Sequence, residues 1–170
     1  MKNHLHIRST LALACLCAAP TFAANWQIFA ATNSDKAYFF FDSDTVVKQG
    51  DAVTVWIKYV KDQSFPDSDG SYATAMREIF TCSKRTTQVL TSVIYDKIGN
   101  FIKTYTNPGK PEEIIPDSVS EGMLKAICTP DFPKNKSRDL YFPATDNDVF
   151  KHAASLFDWR REKNTDPAPK

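Results

Sequence analysis

Residues 114–128, Ile-Ile-Pro-Asp-Ser-Val-Ser-Glu-Gly-Met-Leu-Lys-Ala-Ile-Cys, decide how this chain folds, because they predict one short helix that ends on a cysteine. Pro116 ends the preceding segment, Ser118 is a good N-cap, and Glu121 three residues later completes a capping box. Gly122 costs roughly 1 kcal/mol relative to alanine, so packing and the cysteine have to hold the helix. An apolar stripe follows the helical repeat and is formed by Val119, Met123 and Ile127, with Leu124 beside them. We therefore expect a helix that is tied to another part of the chain at its C-terminal end.

The bulk composition is that of an ordinary globular protein with one domain. The chain has 170 residues, of which 42% are hydrophobic and 24% are charged, and its formal net charge is +1. Residues 1–23 contain Lys2 and Arg8 and no acidic residue, so the rest of the chain is close to neutral. Nucleic acids and anionic membranes attract basic surfaces, so the charge balance disfavours nucleic-acid binding.

The N-terminus predicts an export signal over residues 1–23. Two basic residues lie in a polar beginning, residues 11–19 form an apolar run, and Thr21 and Ala23 supply small side chains at positions −3 and −1 of a cut before Ala24. The apolar run is too short to span a bilayer as a helix. The style of the signal is bacterial, so we expect an exported protein in the periplasm or at the outer-membrane surface.

A lipoprotein signal is the alternative, because the small residue Ala14 precedes Cys15. Leu13 is large for its position before the cysteine, and Ala12 stands where a leucine is usual. Simple cleavage before Ala24 is therefore preferred over lipidation at Cys15.

The cysteine count follows from the export signal. Cys15 and Cys17 belong to residues 1–23, which leaves Cys82 and Cys128 in the exported chain. Two cysteines in an exported protein most often pair, and closing so long a loop is worth roughly 4 kcal/mol on the chain-entropy model. A redox-active or metal-binding pair is the alternative, but the sequence lacks a C-x-x-C spacing and a neighbouring histidine.

Alternating hydrophobicity predicts antiparallel β-structure through the first two thirds of the exported chain. In the clearest strand, Val53–Val60, odd-numbered residues share one face and even-numbered residues share the other. Residues 72–80 contain good helix formers, so a helix is an alternative there, but in a strand the parity of Phe80 and Cys82 turns the cysteine towards the core. Further strands are predicted over Trp26–Ala30, Ala37–Phe41, Tyr72–Arg85, Gln88–Tyr95 and Asn100–Tyr105, with a short connector over Thr45–Lys48.

The C-terminal part of the chain predicts a loop, a second helix and a tail. Residues 129–137 are rich in proline and lysine, and a helix begins at Thr145 with Asp146 and Asp148 in its first turn. Its apolar stripe consists of Phe150, Ala153, Ala154 and Phe157. Residues 164–170 form a polar tail that we expect to be disordered.

The residue types that carry catalysis or bind metals do not assemble into a recognisable motif. After export His152 is the only histidine, which rules out a multi-histidine zinc site, and we expect it on the solvent side of its helix. Residues 67–70 lack the further ligands of a calcium loop and predict a turn. Residues 42–44 and 146–148 are interpreted as a strand end and a helix start. We expect no enzyme activity, no cofactor and no metal site.

Two other groups of residues have a structural interpretation. Glu112 and Glu113 are adjacent in a predicted loop, whereas a glycosidase pair faces across a cleft. A recognition patch is one interpretation of the aromatic residues, although packing in the sheet is the preferred one. These aromatic residues are Trp26, Trp56, Tyr59 and Phe65.

The order of these segments resembles the surface-adhesin protein E-like family of exported bacterial proteins. The resemblance covers roughly residues 26–128, and no short piece of it is diagnostic. It rests on Trp26, Tyr38–Asp42, Ser43, Gly50, Val53–Lys58, Phe80–Cys82, Tyr95 and Asp96 before Gly99, and Ile115–Ser118 leading to Glu121 and Cys128. The resemblance implies an α+β fold of two layers, in which an antiparallel sheet is covered by a short helix and a disulfide joins them.

The resemblance also implies a function. Family members are outer-membrane lipoproteins that bind host matrix and serum proteins and can dimerise, so we expect a non-enzymatic binding protein with a host or envelope protein as ligand and a homodimer as a further expectation. A periplasmic protein for envelope maintenance or enzyme inhibition on the same scaffold is the alternative. No motif matches a host-binding residue, so the ligand-binding residues stay unknown. The expected segments are a signal peptide at 1–23, the adhesin E-like domain at 24–128, a C-terminal extension with a helix at 129–163 and a tail at 164–170.

Overall fold

The structure is a computed structural model. It describes residues 24–32, 37–62, 64, 70–134, 142–143 and 149–165. The strands are β1 (Trp26–Thr32), β2 (Ala37–Asp42), β3 (Val47–Gln49), β4 (Ala52–Lys61), β5 (Ala73–Thr81), β6 (Thr86–Tyr95), β7 (Phe101–Tyr105), β8 (Glu112–Glu113) and β9 (Phe142–Pro143). The helices are α1 (Val119–Ile127) and α2 (Val149–Thr165), and a single 3-10 turn lies at Ser43–Thr45.

The strands form one antiparallel sheet of nine strands in the order β7-β6-β5-β4-β2-β1-β9. Two short strands lie off this path, because β3 pairs with the first half of β4 and β8 pairs with the start of β6. β4 is the long central strand, and its register with β2 places Ile57 opposite Phe41 and Lys58 opposite Phe40. The antiparallel sheet that alternation predicts is confirmed.

One face of the sheet carries the core beneath α1. The odd-numbered residues Val53, Val55 and Ile57 of β4 are buried there together with Phe80 of β5. From α1 the buried partners are Met123, Leu124, Ala126 and Ile127. The predicted period of two in β4 and the predicted apolar stripe of α1 are both confirmed, and the apolar face of β4 packs against the apolar stripe of α1.

The opposite face carries a second core beneath α2. Tyr38 and Phe40 of β2 and Val60 of β4 are buried there against Ala153 and Phe157 of α2. The rings of Tyr38 and Phe157 lie 4.7 Å apart, and the Tyr38 hydroxyl donates to the backbone oxygen of Leu156 at 3.4 Å. The C-terminal helix therefore covers the face that α1 leaves open. Of the predicted stripe, Phe150 and Ala154 are half-buried.

The α+β class with a short disulfide-tethered helix and a C-terminal helix is confirmed, and several local expectations are corrected. Residues 73–81 are a strand, so the helix alternative there is wrong. The strand stops at Thr81, and residues 82–85 turn into β6 because they have to reverse the chain. Glu112 and Glu113 lie in β8 instead of a loop, where they pair with Thr87 and Thr86.

Three expectations fall on residues near the second helix or in the export signal that the structure does not describe. The expected helix start at Thr145, the acidic residues at 146–148 and the export signal at 1–23 lie outside the described residues. α2 continues to Thr165, which is two residues into the predicted tail. Within the described part of the chain, no helix has the length and apolar character needed to cross a membrane.

Candidate functional site

The start of α1 is held by a carboxylate that reaches past the N-cap. Ser118 is the N-cap, and its Oγ accepts a hydrogen bond from the backbone N–H of Glu121 at 3.2 Å. The Glu121 Oε2 accepts from the backbone N–H of Asp117 at 2.9 Å, one residue before the N-cap. Asp117 has a φ of 61°, in the left-handed region. The capping box that the sequence predicts is thus present in a form displaced by one residue.

Glu121 is also the acidic centre of a small charge network. Arg85, in the turn between β5 and β6, donates to Oε1, and Lys125 lies one helical turn further on with its Nζ 3.2 Å from Oε2. The Asp117 N–H and then the two cations lower the pKa of Glu121 to about 2. This network ties the β5–β6 turn to α1. We interpret it as a structural network, because its charged groups pair with one another.

The disulfide closes the other end of α1. Cys82 directly follows β5, Cys128 is the C-cap of α1, and their Cα atoms are 5.7 Å apart. A cleft of about 260 Å³ lies beside the bond and is also lined by Lys48, Asp51 and Pro130. Lys48 Nζ donates to the backbone oxygens of Thr129 and Pro130 at 3.0 Å each, and Asp51 accepts from the backbone N–H of Ser83 at 3.0 Å. The charged groups of the cleft therefore brace neighbouring loops.

A buried carboxyl group lies on the sheet face that α1 shares. Glu78 of β5 is 7% exposed and sits where the β5–β6 register shifts after Arg77. The Thr87 hydroxyl donates to its Oε2 at 3.1 Å. Burial raises the pKa of Glu78 to about 7, although the Thr87 hydrogen bond acts in the opposite direction. The sequence analysis missed this residue, although Glu78 has the same even-numbered parity as Phe80 and Cys82 and therefore lies on the core side of β5.

A group of exposed apolar side chains lies at the β7 end of the sheet. Phe101 is 63% exposed and Tyr105 is 54% exposed, and Ile98 in the preceding turn is 71% exposed. β7 is the first strand in the order of the sheet and pairs with β6 alone among the described strands. We call this surface, Ile98–Tyr105, the β7 edge. An exposed apolar strand at a sheet edge is a place where other chains bind.

The residues considered for chemistry occupy structural positions. His152 was expected on the solvent side, but it is half-buried with its ring 6.3 Å from that of Phe40 in an edge-on contact, because it faces the sheet beneath α2. Asp42 is buried at the end of β2 and accepts from the backbone N–H groups of Asn25 and Asp44. Residues 67–69 of the expected turn lie outside the described residues. Among the described residues, no group of three metal-binding side chains is close enough together to hold an ion.

The aromatic residues considered as a patch are divided between the two faces of the sheet. Trp26 packs beside the second core, where Lys58 Nζ lies 4.6 Å from its ring centroid and also near the rings of Tyr95 and Phe150. Tyr59 lies on the first face, with its ring 5.3 Å from that of Phe39. Phe65 lies outside the described residues. A single patch of these side chains is therefore not formed.

Comparisons with known proteins match a family model and a solved structure. The family model described as surface-adhesin protein E matches residues 26–129, from β1 through the residue after Cys128. Among solved structures, the chain is similar to the crystal structure of protein E from non-typeable Haemophilus influenzae, with 11% sequence identity and a TM-score of 0.41 over 78% of this chain and 88% of that chain. No curated protein matches the chain.

Proposed function

The chain belongs to the surface-adhesin protein E family, and on that premise we propose that it is a non-enzymatic exported protein that works by binding other proteins at the bacterial surface. The family resemblance that the residues indicate is confirmed by the match over residues 26–129. The observation that carries the binding role is the β7 edge, because Phe101 and Tyr105 are exposed there on a strand that, among the described strands, pairs with β6 alone. Host matrix proteins are the proposed class of ligand.

The disulfide supports export. Disulfides form and persist in oxidising compartments such as the periplasm and the cell surface, and they are rare in the reducing cytosol. Cys82 and Cys128 are bonded and hold α1 against β5. The proposed route is the export signal at residues 1–23, with release before Ala24 preferred over lipidation at Cys15.

The positions of the ionisable side chains near α1 also support a binding role without catalysis. The ionisable groups that α1 and the disulfide bring together, Glu121, Arg85 and Lys125, satisfy one another. Glu78, whose pKa burial raises to about 7, is buried on the α1 side of the sheet. Neither group is placed to act on an external substrate.

The test is the location of the protein on intact cells. A membrane-impermeant biotin reagent should label the protein on intact cells, whereas a periplasmic control protein should be labelled only after the outer membrane is opened. Labelling restricted to opened cells would contradict the surface role and favour the periplasmic alternative, envelope maintenance or enzyme inhibition. Immobilised host matrix proteins, with albumin as control, then test binding, and light scattering on the purified chain tests the expected homodimer.

A further inference from the structure

We propose that residues 106–114 form a strap along the edge of β6, and that this strap is released when Glu78 of β5 loses its proton. The inference goes beyond the proposed function, since it concerns how the fold responds to pH and not which partner it binds. A carboxylate that ionises in an apolar interior needs water or a counter-charge. The part of the structure that opens at the lowest cost supplies the water.

Glu78 is buried in apolar surroundings. Its cross-strand neighbours are Val55 of β4 and Val89 of β6, and Phe80 lies two residues along β5 on the same face. The side chain is 7% exposed, and among the described residues its hydrogen-bond partner is the Thr87 hydroxyl, which donates to Oε2 at 3.1 Å. One hydrogen bond does not replace the water that a carboxylate loses on burial, so ionisation of this group destabilises the fold around it.

Glu78 forms no ion pair with the described residues that share its face of the sheet. The cations of the α1 network, Arg85 and Lys125, are bound to Glu121 instead. Glu112 of β8 lies across β6 and adds a second acidic group on this face. The other ionisable side chains that the strand register places there are Tyr59, Lys103 and Tyr105.

Most of the strap buries little surface. Residues 106–113 are exposed, including the charged side chains Lys110, Glu112 and Glu113. β8 has two residues and, among the described strands, pairs with β6 alone. Segments with few buried apolar contacts open locally at a small cost in free energy, so the strap is expected to open before the sheet does.

The strap is attached beside two neighbours of Glu78. The Gly109 N–H donates to the backbone oxygen of Val89 at 3.0 Å, and Val89 lies opposite Glu78 in the sheet. Ile114, at the other end of the strap, is 5% exposed and belongs to the buried cluster beneath α1 that also contains Val55. Release of the strap would withdraw Ile114 from this cluster and admit water to the face of the sheet that holds Glu78.

The direction of the pH dependence follows from this burial. Burial raises the pKa of Glu78 from 4.5 to about 7, whereas in an open and hydrated state the pKa returns towards 4.5. The open state therefore binds fewer protons between these two values. Opening becomes more favourable by up to about tenfold per pH unit in that range, and the effect levels off above the higher value.

The experiment measures hydrogen exchange in the purified full chain between pH 5 and 8, corrected for the intrinsic exchange rate at each pH. Protection of the Gly109 and Ile114 amides, which donate to the backbone oxygens of Val89 and Arg85, should fall by up to about tenfold per pH unit from pH 5 to 7. Low concentrations of urea should leave these two amides unaffected, because local opening exposes little surface. The same urea should accelerate exchange in β4 at residues 57–60, which pair with β2 and β5 on their two sides.

Matched variants identify the group that loses the proton. Glu78→Gln keeps the size of the side chain and cannot ionise, so its Gly109 and Ile114 amides should show no loss of protection as the pH rises. Glu112→Gln removes the acidic group of the strap that shares the face of Glu78, and it should keep the native pH dependence. Melting midpoints at pH 5 show whether both variants fold.

Three outcomes would overturn the proposal. The first is protection of the two amides that stays constant between pH 5 and 7 in the native chain, a result that requires no variant. The second is a pH-dependent loss of protection with the same urea dependence as β4, because the opening would then be global unfolding. The third is a pH dependence that persists in Glu78→Gln or disappears in Glu112→Gln, since another group would then control the strap.

Discussion

The carboxylate of Glu121 accepts a hydrogen bond from the backbone N–H of Asp117 at 2.9 Å, so this side chain joins the turn before α1 to the first turn of the helix. Arg85 and Lys125 reach the same carboxylate from the β5–β6 turn and from α1 itself. One ionised group therefore joins the turn before α1, the helix itself and the β5–β6 turn.

Replacing Glu121 should make the stability of the protein less sensitive to acid. The pKa of Glu121 is lowered from 4.5 to about 2, so its contribution is complete above pH 4.5 and is lost as the pH falls through about 2. Urea unfolding at a series of pH values should show Glu121→Gln to be less stable than the native chain at pH 7, with the difference shrinking towards pH 2. Glu113→Gln, at an exposed glutamate of β8, should follow the native curve throughout. A difference that stays constant with pH would contradict the ionic role.

Replacing Glu78 should have the opposite pH dependence. Burial raises its pKa from 4.5 to about 7, so the folded state is favoured while the group is protonated, and stability is lost as the pH rises from 4.5 through 7. The loss amounts to about 3 kcal/mol if the whole shift is expressed in folding. Glu78→Gln should remove this fall and be the more stable protein at pH 8, measured by urea unfolding. The control is Glu112→Gln, and native and Glu78→Gln curves that run parallel between pH 5 and 8 would refute the prediction.

Gly122→Ala should stabilise α1. Gly122 lies within the helix on its exposed side, and a Cβ atom there would meet nothing within 4 Å. The gain should be about 1 kcal/mol, because alanine has the higher helix propensity and restricts the unfolded chain. The matched control is Gly50→Ala, which also has open space around it but a φ of +59°, where alanine is strained. Thermal unfolding should move the two variants in opposite directions, and a shared direction would exclude this account.

Ser118→Ala should cost about 1 kcal/mol, because the backbone N–H of Glu121 would lose its acceptor. Chemical unfolding measures the loss. Ser120→Ala, two residues after the N-cap and within the first turn of the same helix, is the control and should change stability much less. Equal stability of Ser118→Ala and the native chain would show that the displaced Glu121 carboxylate is enough to cap the helix.

Removing the disulfide should be the most costly of these changes. Cys82 and Cys128 are 46 residues apart, and closing a loop of that length is worth about 4 kcal/mol in the chain-entropy model. A double variant, Cys82→Ser with Cys128→Ser, should unfold at a lower urea concentration. Dithiothreitol should bring the native chain down to the same midpoint and leave the double variant unaffected. If the reductant has no effect on the native chain, the bond does not limit stability.

Elements in which a periodic pattern extends over many residues were predictable from the sequence. Elements too short to show such a pattern were not. Val53–Val60 alternates over eight positions, and the structure extends this strand by one residue at each end. β8 and β9 are two-residue strands, too short to show any period, and they exist because longer strands offer them an edge. The interpretation of Glu112 and Glu113 as a loop was wrong for this reason.

The candidate binding surface was similarly hidden. The residues of β7 were predicted as one strand of a hairpin with β6, and that hairpin is present. Whether its outer strand would be covered depends on where the chain goes afterwards. Residues 106–111 leave β7 and reach β6 again at β8, where Glu112 pairs with Thr87, so the β7 edge stays at the margin of the sheet.

By itself, the sequence determined the local elements: the capped helix that ends at Cys128, the alternating strands and the two cysteines left to pair. These follow from the properties of neighbouring residues, namely the helical and strand periods and capping. Only the tertiary structure decided that α2 covers the face opposite α1, that Glu78 keeps its proton up to about pH 7 and that the β7 edge stays exposed. Each of these depends on which distant surfaces meet, because burial and edge pairing come from contacts between segments far apart in the chain.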